Sequence, residues 1–576
     1  MTEGMVCEKG QGFTVSVEHQ LGCGVGWLRQ VDTENGTVPV WNQSRDRCVL
    51  FCGEHFPEIA NPENSDPATY VLRGYEKEGT RILDRLNGWF SGVIIDLRQG
   101  RVILFNDRYG LGRIYFHQGA TGFFFASRAK ALLKVLPELR RIDPPGLGEW
   151  FACGCVLQDR TLFRGISLLP AGSAWVISAD ATIDKQKYFD LASWESQPQF
   201  SEREYYECLR ETFPRVLKRY VTGNGPIGMS LTGGLDGRMI MAWSSKAPGD
   251  LPCYTFNGPF RDCVDAKIAR QVAQACGQPH RTIQVGDEFL AAFPKLAEQT
   301  VSITDGTMDV TGAAELYVNG QVREISPVRL TGNYGSEILR NNIAFRPRRL
   351  SGGFLDRGLE EHVEGAAGTY TAELNGNRHS FIAFKQVPWH HFGRFAVEQS
   401  QLSVRSPFLD NDLVALAFRT PAGKEDDLSP ALRLVADGKP DLGRIPTDRG
   451  ITYPANKVPN RIRRSLEEFL TRAEYAYDYG MPAWLARIDH ALESLRLERL
   501  FLGRQKFCHF RVWYRDQLAD YVKEILLDRR SQSRPHVNGA ALESMVKAHT
   551  KGVQNYTVEI HKLLSIELLH RTLLDG

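Results

Sequence analysis

Residues 230–238 read Ser230-Leu231-Thr232-Gly233-Gly234-Leu235-Asp236-Gly237-Arg238, and this stretch decides the fold of the second part of the chain. It follows an apolar run at 226–231 and precedes helical spacing at 238–245, so we predict a strand-to-helix turn. Such a turn presents unpaired backbone N–H groups at the positive end of a helix, where a phosphate or pyrophosphate binds. Two adjacent glycines let the backbone approach that anion closely.

Two side chains of the turn add to this chemistry. Thr232 offers a hydroxyl donor, and Asp236 can hold the magnesium ion that polyphosphates bring. The turn is neither a Walker loop nor a G-x-G-x-x-G fingerprint, which argues against P-loop phosphoryl transfer and hydride transfer. A plain strand-to-helix turn, which also favours Gly and Asp, is the alternative interpretation.

Strand and helix patterns alternate on the C-terminal side of the turn. We predict a strand at 251–257, a helix at 265–276 and a strand at 282–285, which is typical of a parallel sheet. From about residue 354 to the final helical run at 560–574 the pattern is mostly helical.

The first 190 residues have a different pattern, with short strands separated by turns. Helical spacing interrupts them at 68–79 and 127–136, and the polar stretch 191–200 is typical of a linker. We therefore predict two domains, 1–195 and 200–576, the first of them α+β with mainly antiparallel strands. The predicted strands of this part are 12–18, 48–52, 90–96, 101–106, 113–117, 122–126 and 173–177.

Composition excludes several classes of protein. Of 576 residues, 42% are hydrophobic and 24% are charged, which is typical of a folded globular chain and not of a disordered or coiled-coil one. The net charge of +2 gives no field that favours nucleic acid or an anionic membrane, and no apolar run is long enough to span a membrane. Eleven cysteines without a C-x-x-C pair, and an acidic N-terminus without a secretory signal, predict reduced thiols in a cytoplasmic protein.

The turn resembles the pyrophosphate loop SGGxDS of N-type ATP pyrophosphatases, and its context resembles asparagine synthetase. Further family motifs, in the same order along the chain, are SGxGxDE and EVRxPFLD after the turn, and LNGxF, RDRxG, FASE and LPPG before it. The matching stretches are 330–337, 403–410, 86–90, 106–110, 125–128 and 169–172.

The resemblance implies a fold and an activity. The fold would be an α+β N-terminal nucleophile sandwich of the glutamine amidotransferase type, followed by an α/β parallel-sheet adenylating (PP-loop) domain with a helical C-terminal part. The second domain would use Mg-ATP to convert a carboxylate into an acyl-adenylate, and an amine would then displace AMP to give an amide.

The resemblance also assigns roles to residues of this sequence. Leu231, Thr232, Gly233, Gly234, Asp236 and Gly237 would cradle the polyphosphate of ATP, with Thr331 and Gly332 beside the nucleotide. Asp236 and Glu337 would bind Mg²⁺, and Glu337 and Arg449 would be the catalytic residues.

Four of the family's positions differ in this chain. Gly237 replaces a serine, Ser336 replaces the aspartate expected to bind magnesium, and Asn333 replaces an acidic residue. Arg449 stands where the family has a lysine that stabilises the adenylate, and its guanidinium can still bind phosphate.

The glutaminase nucleophile of the family is a cysteine at the mature N-terminus, and here residue 2 is Thr2. The run at 21–27 resembles a displaced start, which would require cleavage before Cys23. Cys52-Gly53-Glu54 resembles the family's NGE motif, and Asp66 resembles its contact to the glutamine amine. We therefore expect a degenerate glutaminase domain retained as a structural partner.

These observations predict an AMP-forming amide ligase that joins a small-molecule or peptide carboxylate to ammonia or a substrate amine. Three alternatives stay open: a macrolactam or β-lactam-type intramolecular cyclase, a glutamine-hydrolysing asparagine synthetase, and a catalytically silent scaffold. The sequence names neither the carboxylate nor the amine donor, and a homodimer stays open.

Overall fold

The computed structural model describes residues 13–18, 21–28, 39–58, 66–222, 225–350, 353–454, 465, 469, 471–474, 476–479 and 502–575. Thr2 and the first residue of the strand predicted at 12–18 lie outside these ranges.

Sixteen strands form four sheets within the described residues. They are β1 (Phe13–Glu18), β2 (Cys23–Leu28), β3 (Val40–Trp41), β4 (Arg47–His55), β5 (Gly88–Asp96), β6 (Arg101–Asn106), β7 (Tyr115–Gly119), β8 (Gly122–Ala126), β9 (Ser167–Leu168), β10 (Ser173–Ser178), β11 (Ile183–Lys187), β12 (Ile227–Ser230), β13 (Cys253–Asn257), β14 (His280–Gln284), β15 (Val328–Thr331) and β16 (Ser403–Arg405).

The α-helices of the described residues span Pro67–Glu78, Ala129–Val135, Pro144–Cys153, Ala192–Glu195, Glu202–Val221, Leu235–Trp243, Val264–Ala275, Asp287–Thr304, Gly312–Val322, Gly335–Arg340, Arg357–Leu374, Arg378–Phe381, Phe392–Gln399, Asn411–Ala417, Ser429–Gly438, Pro440–Arg444, Phe510–Arg515, Ala519–Leu526, Arg529–Gln532, Gly539–Thr550 and Thr557–Leu569. Short 3₁₀-helices span Gly79–Arg85, Pro137–Leu139 and Pro407–Leu409, and π-helices span Ile382–His391 and His570–Leu574. None of the described helices is long and apolar enough to cross a membrane.

The N-terminal part is a layered structure of antiparallel strands. A six-stranded sheet has the order β11-β10-β6-β5-β4-β3, and a three-stranded sheet has the order β8-β7-β9. Side chains alternate across the larger sheet, because successive residues of a strand point to opposite faces. In β4, Val49 and Phe51 pack beneath the helix Pro67–Glu78, while Cys48 and Leu50 face aromatic residues of the smaller sheet.

The C-terminal part contains a five-stranded sheet in the order β14-β13-β12-β15-β16, with every pair parallel. Helices connect its strands, and the chain ends in helices after the last strand. The predicted fold class is therefore confirmed in both parts, an antiparallel α+β layer structure followed by a parallel α/β sheet with a helical C-terminal part.

Two sequence predictions differ from the structure in detail. The helix after the glycine-rich turn begins at Leu235 instead of 238, which places Asp236 in its first turn. The polar stretch 191–200 is not a free linker, because it contains the helix Ala192–Glu195 and the buried Trp194. The ring of Trp194 lies 4.8 Å from that of Phe189 and 5.8 Å from that of Phe418. The domain bounds 1–195 and 200–576 remain a prediction.

A buried polar network joins the two parts of the chain. The Nδ2 atom of Asn87, in the stretch 86–90, donates to Oδ2 of Asp410 at 2.7 Å, and the backbone N–H of Asn411 donates to Oδ1 of Asn87 at 3.0 Å. Arg219 pairs with the same Asp410 carboxylate at 3.0 Å. Asp410 is 0% exposed, so its charge depends on these partners.

We predict that Asp410→Ala lowers the stability of the whole chain by about 1–3 kcal/mol, because it leaves the buried Asn87 amide without its acceptor and removes one of the two carboxylates, Asp410 and Asp412, that pair with Arg219. The measurement is the thermal unfolding midpoint of the full chain. The control is Asp426→Ala, since Asp426 is exposed and 3.8 Å from Arg378, and we expect a change within about 0.5 kcal/mol. Equal midpoints for the two variants would contradict a structural role for this network.

Candidate functional site

The candidate site lies at the carboxyl ends of β12 and β15, the two strands at the middle of the parallel sheet. Ser230, the last residue of β12, is paired with Thr331, the last residue of β15. The chain leaves β12 for β13 on one side, while β15 lies on the other side of β12. Ligands of open α/β sheets bind in the crevice at such a switch point.

The glycine-rich turn keeps several backbone donors available at this edge. Gly234 precedes the helix Leu235–Trp243, and no side chain caps its N-terminus. The first-turn N–H groups of a helix have no partner within it, so they can bind an anion. Thr232 is exposed, and its Oγ1 accepts a weak bond from the Gly234 N–H at 3.4 Å.

Other groups of the turn are already bonded and serve to hold it in place. The N–H of Leu231 donates to the Tyr254 carbonyl at 2.9 Å, and its carbonyl accepts from Thr255 Oγ1 at 2.7 Å. The N–H of Gly233 donates to Asp265 Oδ1 at 2.7 Å. Of the predicted cradle, Thr232 is exposed and Gly234 and Asp236 are half-buried. The other members, Leu231, Gly233 and Gly237, are buried.

A second turn, 332–335, packs directly on the first. A Cβ atom at Gly332 would lie 2.6 Å from the backbone nitrogen of Gly237, and one at Gly335 would lie 2.5 Å from Cγ of Asp236. Only glycine permits this approach. The structure thus brings Gly332 and Gly335 against Asp236 and Gly237, and the predicted place of Thr331 and Gly332 beside the nucleotide remains a prediction.

Asp236 is held by an arginine from the second turn's helix. NH1 of Arg340 lies 2.8 Å from Oδ1 of Asp236, and NH2 donates to Oδ2 at 2.9 Å. Burial raises the pKa of Asp236 above its ordinary value, while Arg340 opposes that effect. The two contacts together place both carboxylate oxygens of Asp236 against the guanidinium of Arg340.

Glu337 lies in the first turn of the same short helix, Gly335–Arg340. Its Oε2 accepts from the hydroxyl of Ser336 at 2.7 Å, and its Oε1 lies 3.7 Å from Nε2 of His391. Burial lowers the pKa of His391 to about 4, so the imidazole is neutral at pH 7 and the pair is not ionic.

Arg449 belongs to a loop that contacts the glycine-rich turn. The N–H of Asp448 donates to the Gly233 carbonyl at 3.1 Å, and Arg238 donates to the same carbonyl at 3.2 Å. Arg238 also bonds the carbonyls of Ile445 and Pro446, which fixes the loop to the helix. The side chain of Arg449 itself is exposed.

Sequence reasoning missed four charged residues of the site: Arg238, Asp265, Arg340 and Asp448. Burial, reinforced by the charge of Asp448, raises the pKa of Asp265 to about 6. Asp448 directly precedes Arg449, so the sequence places it in the same loop. Arg340 is 104 positions from Asp236, and no spacing rule connects them.

Two models of known domain families match the chain. A model of the glutamine amidotransferase domain matches residues 15–189, and a model of asparagine synthase matches residues 208–378. The chain belongs to the asparagine synthetase family. The chain is therefore a carbon–nitrogen ligase, and the asparagine synthetase family uses ATP.

Similar proteins carry the same family name. A putative glutamine-hydrolysing asparagine synthetase of Mycobacterium bovis is 22% identical, covering 69% of this chain and 70% of its own length. Asparagine synthetase 3 of Bacillus subtilis is 23% identical, covering 62% of each chain. Asparagine synthetase 3 of Arabidopsis thaliana is 24% identical, covering 73% of this chain and 65% of its own.

The glutaminase features of the family are engaged in structural contacts here. Glu54 pairs with Arg405 of β16 at 2.5 Å, which ties the stretch 52–54 to the parallel sheet. Asp66 caps the helix Pro67–Glu78 by accepting from the Thr69 N–H at 2.9 Å. Cys23 begins β2 and is paired with Glu18 of β1, so cleavage before Cys23 would remove the strand that pairs with β2.

Membership of this family also implies a magnesium ion, which the side chains of the site would have to bind. Magnesium prefers oxygen ligands in a nearly octahedral arrangement. Within the described part of the chain no three His, Cys, Asp or Glu residues are grouped to hold a metal, and both oxygens of Asp236 face Arg340. Magnesium at nucleotide sites takes only one or two carboxylates, and here Arg340 occupies the Asp236 carboxylate that it would need. The metal role of Asp236 and Glu337 remains a prediction.

We predict that Gly335→Ala destabilises the chain by about 1–3 kcal/mol, because the added methyl group overlaps Asp236 and forces the two turns apart. The matched control is Gly368→Ala in the helix Arg357–Leu374, where no atom lies within 4 Å of the new Cβ. That change is expected to be neutral or stabilising by up to about 1 kcal/mol. Thermal unfolding of both variants measures the difference, and a Gly335→Ala chain as stable as the control would contradict the close contact.

Proposed function

We propose that this asparagine synthetase family member is an AMP-forming amide ligase without glutaminase activity of its own. The observation that carries the proposal is the uncapped N-terminus of the helix Leu235–Trp243 at the centre of the parallel-sheet edge. The open amides of this helix and its positive end suit the polyphosphate of ATP.

The reaction has two balanced steps. A carboxylate oxygen of the substrate attacks the α-phosphorus of ATP, the bond to the bridging oxygen breaks, and pyrophosphate leaves. The nitrogen of the amine then attacks the acyl carbon, AMP leaves with the electrons of the carbon–oxygen bond, and the nitrogen loses a proton. ATP carries Mg²⁺ on its own phosphates.

The positions of several residues suggest their roles in this reaction. The N–H groups of residues 234–236 and the hydroxyl of Thr232 bind and orient the polyphosphate. Thr331 and Gly332 support the nucleotide from the neighbouring strand. Arg449 stabilises the negative charge that develops on the α-phosphate, because its exposed guanidinium extends from a loop bonded to Gly233.

The nitrogen source of the proposed reaction is ammonia or an amine of the substrate. The curated relatives are named glutamine-hydrolysing, so a glutamine-using asparagine synthetase is the second candidate. The contacts of Glu54 and Asp66 favour the first candidate, because both side chains are already bonded within the protein. An intramolecular cyclase is the form of the proposal in which carboxylate and amine belong to one substrate.

We predict that Arg449→Ala lowers carboxylate-dependent pyrophosphate release from ATP about 10²–10³-fold, because it removes a cation aimed at the developing charge. The substrates to be tested are aspartate, other amino acids and short peptides. Arg444→Ala is the matched control, since Arg444 is an exposed arginine at the end of the helix Pro440–Arg444, which precedes this loop, and it pairs with Asp441 at 3.1 Å. The thermal midpoint of both variants should equal that of the unchanged chain. Absence of pyrophosphate release with every carboxylate would overturn the proposed ligase.

We predict that ammonium supports amide formation and that glutamine does not. The readouts are glutamate release from glutamine and amide product with each nitrogen source. Cys23→Ala should leave both unchanged, because Cys23 lies within a paired strand and has no free α-amino group beside it. Glutamate release that disappears in Cys23→Ala would instead establish the glutamine-hydrolysing alternative.

A further inference from the structure

The pair of Asp236 and Arg340 joins the two turns that form the proposed nucleotide site. The carboxylate comes from the helix after β12, and the guanidinium is the last residue of the helix after β15. NH2 of Arg340 donates a hydrogen bond to Oδ2 at 2.9 Å, and NH1 lies 2.8 Å from Oδ1 as an ion-pair contact without hydrogen-bond geometry. The side chains are only 12% and 19% exposed, so water screens the pair weakly.

Arg340 lies among more negative charge than Asp236 alone supplies. The charges of Glu337 and Asp448 also act on its guanidinium. Asp236 is thus the carboxylate in contact with this buried cation, and Glu337 and Asp448 act on it from a greater distance. Residue 336 is a serine and adds no further carboxylate; its hydroxyl donates a hydrogen bond to Glu337.

A guanidinium and a metal ion compete for the same carboxylate. The planar guanidinium matches both oxygens of a carboxylate at once, and such bidentate pairs are the strong ones. A magnesium ion would need at least one of these oxygens at about 2.0–2.1 Å, which would require Arg340 to leave. At the Asp236 carboxylate, the guanidinium of Arg340 therefore occupies the position that a metal ion would need.

We propose that Arg340 takes the place of a protein-held divalent cation in this site, neutralising the Asp236 carboxylate that would otherwise repel the polyphosphate of ATP. This inference rests on the proposed function, because it requires ATP to bind at the two turns. Divalent metal then reaches the site only on the nucleotide, and the chain without nucleotide has no metal site there.

The first test uses Mn²⁺ alone, whose free concentration is followed by electron paramagnetic resonance. We expect no site tighter than about 1 mM in the unchanged chain, whereas the double variant Ser336→Asp, Arg340→Gly should gain one, because it restores a carboxylate and frees Asp236. A single Mn²⁺ site in the unchanged chain that disappears in Asp236→Asn would overturn the proposal. The measurement on the unchanged chain needs no variant, and thermal midpoints check that the double variant and Asp236→Asn are folded.

The second test measures ATP affinity by calorimetry with Mg²⁺ in excess. We expect Arg340→Met to weaken ATP binding about tenfold or more and Arg340→Lys to recover part of the loss, because lysine restores the charge without the bidentate fork. Arg349→Met is the control, since Arg349 has a 91% exposed side chain. Thermal midpoints check that each variant is folded.

The outcomes of the second test separate the two proposals. ATP binding that is equal in Arg340→Met and in the unchanged chain would overturn the role of Arg340 and leave the ligase proposal standing. An unchanged chain that binds no ATP at all would overturn the nucleotide site and, with it, the role of Arg340.

Discussion

The contact between the two turns at the sheet edge is the constraint on which the site depends. The backbone after β15 packs against the residues after β12 at Gly332 and Gly335. A Cβ atom at either glycine would lie within 2.6 Å of those residues, so glycine is required at both positions. This approach places Asp236 beside Arg340 and leaves the N-terminus of the helix Leu235–Trp243 open. The site is therefore produced by backbone packing first and by side-chain chemistry second.

Several family motifs of the N-terminal part stabilise the junction between the two parts. Asn87 of the LNG stretch bonds Asp410 of the PFLD stretch, and Glu54 bonds Arg405 of the same stretch. Trp89 lies edge-on to Tyr334, 6.2 Å between ring centroids, directly beside the second turn. The N-terminal part thus has a structural role in this chain, because its side chains bond and pack against the synthetase part.

Much of the fold was predictable from the sequence, because strand alternation and strand–helix succession are local patterns. The strands at 101–106 and 122–126 match β6 and β8 residue for residue, and the motifs located both turns of the site. Long-range pairings were not predictable: Asn87 and Asp410 are 323 positions apart, and Arg340 and Asp236 are 104 apart. Which polar and charged residues pair depends on how the strands pack against each other, and no local spacing in the sequence determines those pairs.

A crystal structure of the full chain with a non-hydrolysable ATP analogue tests the nucleotide site most directly. We expect the polyphosphate to lie against the N–H groups of residues 234–236, with Arg340 still paired to Asp236 and Arg449 turned toward the α-phosphate. A polyphosphate bound elsewhere, or a metal ion ligated by Asp236 with Arg340 displaced, would contradict this description of the site.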